Sequence, residues 1–66
     1  MTNRVRDCRT NAGGMTQQQL ADLVGVTRQT VNAIEANKYS PSLEVAFLIA
    51  RTLKVGIEDV FGFEEG

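Results

Sequence analysis

The stretch GVTRQTVNAIEANKY, residues 25–39, concentrates side chains that donate and accept hydrogen bonds. Arg28, Gln29, Thr30 and Asn32 supply guanidinium, amide and hydroxyl groups, and Glu35 is the single acid in the stretch. Such groups suit recognition by hydrogen bonding, although a helix of this composition can also be a merely solvated surface. Catalysis is not expected, because the chain has no His for a Ser-His or Cys-His pair and its acids fall on separate predicted helices.

Size and composition predict one small ordered domain. The chain has 66 residues, of which 42% are hydrophobic, with no Trp and one Pro. The single cysteine, Cys8, cannot form an internal disulfide, and beside Val5 it is expected to act as a small apolar side chain. With no metal-ligand spacing and no apolar run for a signal peptide or a membrane span, we expect a cytoplasmic protein without cofactor, metal, membrane or small-molecule ligand.

Helix caps and chain breakers divide the sequence into five predicted helices, with extended strand expected only at the two ends. Thr16 with Gln19 three residues later fits a capping box, and Gly25 suits a left-handed helix end. Thr27 and Ser42 are predicted N-caps of the next two helices. The predicted helices cover residues 3–11, 16–24, 27–36, 42–54 and a final turn in IEDVF, residues 57–61.

Apolar spacing predicts which side of each helix faces the core. The second helix has an apolar side at Leu20, Leu23 and Val24, and the third has one at Val31 and Ile34. The predicted inward stripe of the fourth helix is longer and consists of Leu43, Ala46, Ile49, Ala50 and Leu53.

The short connection between the second and third helices predicts how they cross. Only two residues separate Val24 from Thr27, so two short helices must meet at a steep angle. This arrangement needs a small residue at the close approach, which Ala21 provides, and a residue able to take positive φ, which Gly25 provides. The sequence therefore predicts a helix-turn-helix at residues 17–36.

The pattern TQQQLADLVGVTRQTVNAIEANKYSPSLEVAFLIARTLKVGIEDVF closely resembles the Cro/phage-repressor type of helix-turn-helix protein, the XRE family. It is similar to the short stand-alone members exemplified by the cytolysin repressor, over residues 3–61. Two departures are a loop, RTNAGGMT, that is one residue longer than usual, and Gly56 in place of a Ser or Pro cap. The resemblance implies an all-α, compact five-helix, lambda-repressor-like domain over residues 1–66 that binds double-stranded DNA.

The resemblance also implies which residues meet DNA. If Val31 and Ile34 point inward, the opposite face of the third helix fits the major groove, where Gln and Asn pair with adenine and Arg pairs with guanine. The expected base-reading residues are Arg28, Gln29, Thr30, Asn32 and Ala33. The helix ends are expected to supply phosphate contacts. The expected phosphate-binding residues are Gln17, Gln18, Thr27, Asn37, Lys38, Tyr39 and Ser40.

Two of the polar side chains have further interpretations. Tyr39 fits a loop anchor packed on the helices equally well. By the resemblance, Arg9 and Glu35 form a structural ion pair between the first and third helices.

Charge and surplus apolar residues predict a homodimer. Residues 1–41 carry five basic residues against three acids, whereas residues 42–66 carry two against five, so the last third would repel DNA. The expected subunit contact lies there, at Phe47, Val60, Phe61 and Phe63. The sequence thus predicts a dimeric transcriptional repressor that reads a near-palindromic operator. The alternative is an antitoxin or adaptor module that uses the same bundle to bind a partner protein.

Overall fold

A computed structural model describes residues 2–62. It contains five helices flanked by two short strands, as the sequence predicted. The strands pair antiparallel, with Thr2 opposite Gly62 and Asn3 opposite Phe61, so the two ends of the described chain meet. The elements are β1 (Thr2–Asn3), α1 (Val5–Asn11), α2 (Gln17–Val24), α3 (Arg28–Glu35), α4 (Leu43–Thr52), α5 (Ile57–Val60) and β2 (Phe61–Gly62).

Side-chain caps fix the ends of α2 and α3. The Thr16 hydroxyl accepts a hydrogen bond from the Gln19 backbone N–H at 3.0 Å, and the Gln19 side chain accepts one from the Thr16 N–H at 2.8 Å. Gly25 ends α2 with φ +77°, and the Thr27 hydroxyl accepts from the Thr30 N–H at 3.1 Å. The predicted caps are confirmed, and each helix begins one residue later than predicted because its cap residue has extended backbone angles.

Two helix bounds differ more from the sequence prediction. Helix α1 begins at Val5 rather than at residue 3, because Asn3 belongs to β1 and its side-chain oxygen accepts from the Val5 N–H at 3.2 Å. Helix α4 ends at Thr52 rather than at residue 54, because Lys54 adopts a left-handed conformation with φ +59°.

The core is built from one face of each helix. Val31 and Ile34 are buried, which confirms the predicted inner face of α3. Cys8 packs against this core while half-buried, which is consistent with an apolar role. The buried core cluster consists of Val5, Leu20, Ala21, Val24, Val31, Ile34, Ile49, Ala50, Leu53 and Val60.

Three apolar residues lie elsewhere than predicted. Leu23 and Leu43 are 63% and 70% exposed, so their assignment to the inner faces of α2 and α4 is wrong. In α2 the buried set is Leu20, Ala21 and Val24, and the rotation of about 100° per residue carries Leu23 away from the centre of that face. Val60, which was predicted at a subunit contact, is 1% exposed in the core. The buried Val60 side chain is therefore not available for a subunit contact.

Within residues 2–62, no helix is both long and apolar enough to span a bilayer, and the longest, α4, has ten residues. The same residues contain no cluster of three His, Cys, Asp or Glu side chains that could hold a metal ion.

Candidate nucleic-acid interface

The turn between α2 and α3 is held by two hydrogen bonds to one carbonyl. The Gly25 and Val26 N–H groups both donate to the Ala21 oxygen, at 2.9 and 3.0 Å. Ala21 itself is fully buried, as expected for a small residue where two helices approach closely. The tight turn and the buried inner faces of both helices are those of a helix-turn-helix.

The outer face of α3 presents polar side chains to solvent. Arg28, Gln29 and Asn32 are exposed on the side opposite Val31 and Ile34. These three residues, together with Gln17 at the start of α2, line one shallow cleft. The structure therefore brings the first residue of α2 to the base-reading candidates of α3.

Thr30 and Ala33 border this face and are half-buried. The Thr30 hydroxyl lies 3.0 Å from the Thr27 hydroxyl, so one of the two donates to the other. One hydroxyl proton of this pair is therefore used within the protein, and the pair can offer the other to a ligand.

The start of α2 offers both backbone and side-chain donors. The Gln17 amide nitrogen donates to Glu35 Oε1 at 3.0 Å, and the Gln18 amide nitrogen donates to Asp22 Oδ1 at 2.8 Å. In the first turn of a helix the backbone N–H groups have no partner within the helix and carry partial positive charge. Each side-chain amide keeps a second N–H, so an anion at this end can meet these hydrogens as well as the backbone N–H groups of Gln17 and Gln18.

The loop after α3 places four candidate residues at the surface. Asn37, Lys38, Tyr39 and Ser40 are all exposed. Asn37 ends the helix in a left-handed conformation with φ +58°, and the Lys38 N–H donates to the Ala33 oxygen at 2.9 Å. Tyr39 is 54% exposed, so nearly half of its surface is covered by the domain while the rest faces solvent.

A hydrogen-bonded ion pair joins α3 to the rest of the domain. Arg9 Nε lies 2.9 Å from Glu35 Oε2, and Arg9 Nη2 lies 3.2 Å from Oε1, so the contact is two-pronged. The side chains are 12% and 6% exposed. Arg9 Nη1 also donates to the Met15 oxygen at 2.7 Å, which ties the loop before α2 to the pair. The ion pair implied by the resemblance is present, and it holds α3 at a fixed position relative to α1 and α2.

Two supporting contacts of this surface were not predicted from the sequence. Gln17 belongs to the Arg9–Glu35 network, and Asn3 contacts both the end of α3 and Asn37. Both contacts join residues at least 18 positions apart. No local pattern in the sequence marks such pairs.

Helix α4 carries an exposed apolar face, formed by Leu43, Phe47 and Leu48. Phe47 is 52% exposed, whereas Phe61 is half-buried against the core. Phe63 lies outside the described residues. Of this α4 face, Phe47 was predicted at the subunit contact, and Leu43 and Leu48 are added to it by their exposure.

A family described as Helix-turn-helix matches residues 5–60, which covers every helix of the domain. The chain belongs to this family, the XRE type of helix-turn-helix regulator. The resemblance inferred from sequence and the expected all-α fold are confirmed. This XRE-type protein is accordingly a DNA-binding transcriptional regulator, in a family that is not one of enzymes.

Relatives and a solved structure agree with this assignment. An HTH-type transcriptional regulator of Archaeoglobus fulgidus is 46% identical over 65 residues, which cover 98% of this chain and 91% of the relative. Another, from Bacillus subtilis, is 46% identical over 65 residues, which cover 98% of this chain and 97% of the relative. The crystal structure of the restriction-modification controller protein C.AhdI from Aeromonas hydrophila superposes with a TM-score of 0.78 at 32% identity, covering 86% of this chain and 85% of that one.

Proposed function

We propose that this XRE-type regulator is a dimeric repressor that reads a near-palindromic operator by placing α3 in the major groove. The observation that carries the proposal is the exposed outer face of α3, where Arg28, Gln29 and Asn32 lie opposite the buried Val31 and Ile34. An α-helix fits the major groove, and these side chains can each make two-pronged contacts with base edges. The position of this face is fixed, because Glu35 at the end of α3 pairs with Arg9 of α1 and accepts a hydrogen bond from Gln17 of α2.

The side chains of α3 are proposed to divide the reading of the operator. Gln29 and Asn32 pair with adenine, and Arg28 pairs with guanine or reaches a phosphate. Thr30 and Ala33, at the border of the face, are suited to contacts with a thymine methyl group.

Phosphate contacts are proposed to position the domain on the duplex without reading its sequence. They come from the first turns of α2 and α3 and from the loop after α3. The cations among them are few, mainly Arg28 and Lys38, so binding should depend less steeply on salt than it does for a strongly basic domain. The proposed phosphate-binding residues are Gln17, Gln18, Thr27, Asn37, Lys38, Tyr39 and Ser40.

Dimerisation is proposed to use the α4 face, with Phe61 as a secondary contact. A single domain offers one short helix and few cations to DNA, so useful affinity requires two copies. A second copy of the chain would cover Leu43 and Phe47, which are otherwise open to water. The acidic last third of the sequence then belongs to the subunit contact rather than to the DNA contact.

Selection of bound sequences from random duplex DNA tests this function. The purified protein should enrich a motif made of two inverted half-sites, and the same motif should be bound in solution. Recovery of no enriched motif would contradict sequence-specific reading and would favour the antitoxin or adaptor alternative. An enriched motif without inverted symmetry would contradict the dimer alone.

Replacement of the base-reading amides should relax sequence preference without unfolding the domain. Gln29→Ala and Asn32→Ala each remove one proposed two-pronged contact, which should cost about 1–3 kcal/mol for the selected operator and little for a scrambled duplex. Gln18→Ala is the matched control, because Gln18 is an exposed amide in α2 that contacts Asp22 and is not on the α3 face. The control should leave the ratio of the two affinities unchanged. An unchanged ratio in both α3 variants would show that another face reads the bases.

A further inference from the structure

The side chain of Asn3 connects β1 to the end of α3. Its amide nitrogen donates to the Ile34 oxygen at 2.8 Å and to Asn37 Oδ1 at 2.7 Å. Its amide oxygen accepts from the Val5 N–H at 3.2 Å. One side chain thus links the start of α1, the last turn of α3 and the loop residue Asn37.

These partners fix the direction of the Asn3 amide. The Val5 N–H can only donate, so the atom facing it must be the Asn3 oxygen. The nitrogen therefore faces Ile34 and Asn37, and its two hydrogens are both used by oxygen acceptors. The backbone of Asn3 is fixed as well, because Asn3 pairs with Phe61 in the sheet and the neighbouring Arg4 N–H donates to the Val60 oxygen at 2.7 Å.

The direction of the Asn37 amide follows from that of Asn3. Because Asn37 Oδ1 accepts from Asn3, the oxygen points into the domain and the nitrogen, with its two hydrogens, points away from it. Asn37 is exposed, and its backbone is set by φ +58° at the end of α3. The outward group is a donor, which suits a phosphate oxygen, whereas the reversed amide would present an oxygen to an anion.

We infer that Asn3 is a positioning residue for DNA binding, which holds the Asn37 amide with its nitrogen outward so that Asn37 donates to a phosphate. The inference rests on the proposed phosphate contact of Asn37. Asn3 itself is half-buried beneath Asn37 and acts through it.

A double-mutant cycle on the highest-affinity selected duplex tests the inference. Asn3→Ser keeps an acceptor for the Val5 N–H but is too short to reach Asn37, and Asn37→Gly removes the amide while tolerating the left-handed backbone. Each single variant should weaken binding about five-fold for each subunit bound, the effect of one hydrogen bond. The double variant should bind no more weakly than Asn37→Gly alone. The thermal unfolding midpoint of each variant should also be measured. Binding is then measured well below that temperature, so that a loss of affinity is not caused by unfolding.

A second variant reverses the direction of the Asn37 amide. Asn3→Asp still accepts from the Val5 N–H, but its second carboxylate oxygen faces the Ile34 carbonyl and accepts from Asn37, which turns the Asn37 oxygen outward. It should weaken binding more than Asn3→Ser does, and the part of this extra loss that depends on Asn37 should disappear in the Asn37→Gly background, where the added charge and the repulsion from the Ile34 oxygen remain. Replacing the phosphates one at a time by neutral methylphosphonate should reveal one position in each half-site at which wild type loses affinity and Asn3→Ser does not.

Two results would overturn the inference, and they can be told apart. If Asn37→Gly binds like wild type, Asn37 contacts no phosphate, and the proposed phosphate role of this residue fails together with the inference. If Asn37→Gly weakens binding, and the fold loss of affinity in the double variant equals the product of the two single losses, Asn37 still contacts a phosphate but Asn3 does not act through it.

Discussion

Val31→Asp is expected to abolish the cooperative thermal transition of the domain. Val31 is fully buried on the inner face of α3, and it belongs to the core cluster that also contains Leu20 and Ala21 of α2. A carboxylate there would lose its hydration without gaining an ion pair, at a cost of about 3–5 kcal/mol or more. A domain of this length is stable by about 3–10 kcal/mol in total. The cost is therefore of the same order as the total stability, and Ile34→Asp should have the same effect for the same reason.

Asn32→Asp is the matched control for this prediction. It places the same charge in the same helix one residue away, but on the exposed face. Its unfolding free energy should stay within about 0.5 kcal/mol of that of wild type. Circular dichroism at the helix band, followed against temperature and denaturant, measures both variants. A Val31→Asp protein that unfolds cooperatively near the wild-type midpoint would mean that α3 is rotated, with its polar face inward.

Local chemistry explains why much of the site could be predicted. The Thr16–Gln19 capping box, the left-handed Gly25 and the Thr27 cap each depend on residues within a few positions of one another. Because these signals fix where α2 and α3 begin and end, they also fix which residues of α3 face inward. The exposure of Arg28, Gln29 and Asn32 on the opposite side of α3 follows from the inward position of Val31 and Ile34.

Apolar type alone did not predict burial at the edges of helices. Leu23 and Leu43 lie off the centre of their buried faces, and a small core has room for only one narrow stripe from each helix. Val60 shows the converse error, since it was counted among the surplus apolar residues of the acidic last third of the chain. Its burial depends on how α5 and β2 close over the core. Such packing joins distant parts of the chain and is not encoded in a short window.

The supporting contacts of the site were also beyond local prediction. The Gln17–Glu35 and Asn3–Asn37 hydrogen bonds join residues separated by 18 and 34 positions. Polar residues in such positions are compatible with a solvated surface as well as with a specific partner. Asn3 has a specific partner because the fold brings β1 beside the last turn of α3.

Phe47→Asp is expected to separate the subunits while leaving each domain folded. Phe47 is already 52% exposed in the single domain, so a charge there costs the monomer little. In a symmetric dimer the same position occurs on both sides of the contact, so two carboxylates would be desolvated together. Lys54→Gln, which lowers the net charge by the same one unit two residues after α4, should leave self-association intact.

Loss of the dimer should appear as a loss of operator affinity, although Phe47 lies outside the proposed DNA-binding surface. Two α3 helices about 34 Å apart would enter successive major grooves, and separated subunits lose this joint binding. We therefore expect Phe47→Asp to bind the full palindrome at least about 100-fold more weakly than wild type, while its weak binding to an isolated half-site is unchanged. Sedimentation across a concentration series, combined with titrations of whole and half sites, measures both effects. The dimer proposal fails if wild type sediments as a monomer and binds one half-site as tightly as the palindrome. If instead Phe47→Asp dimerises like wild type, the subunits meet through a surface other than the α4 face.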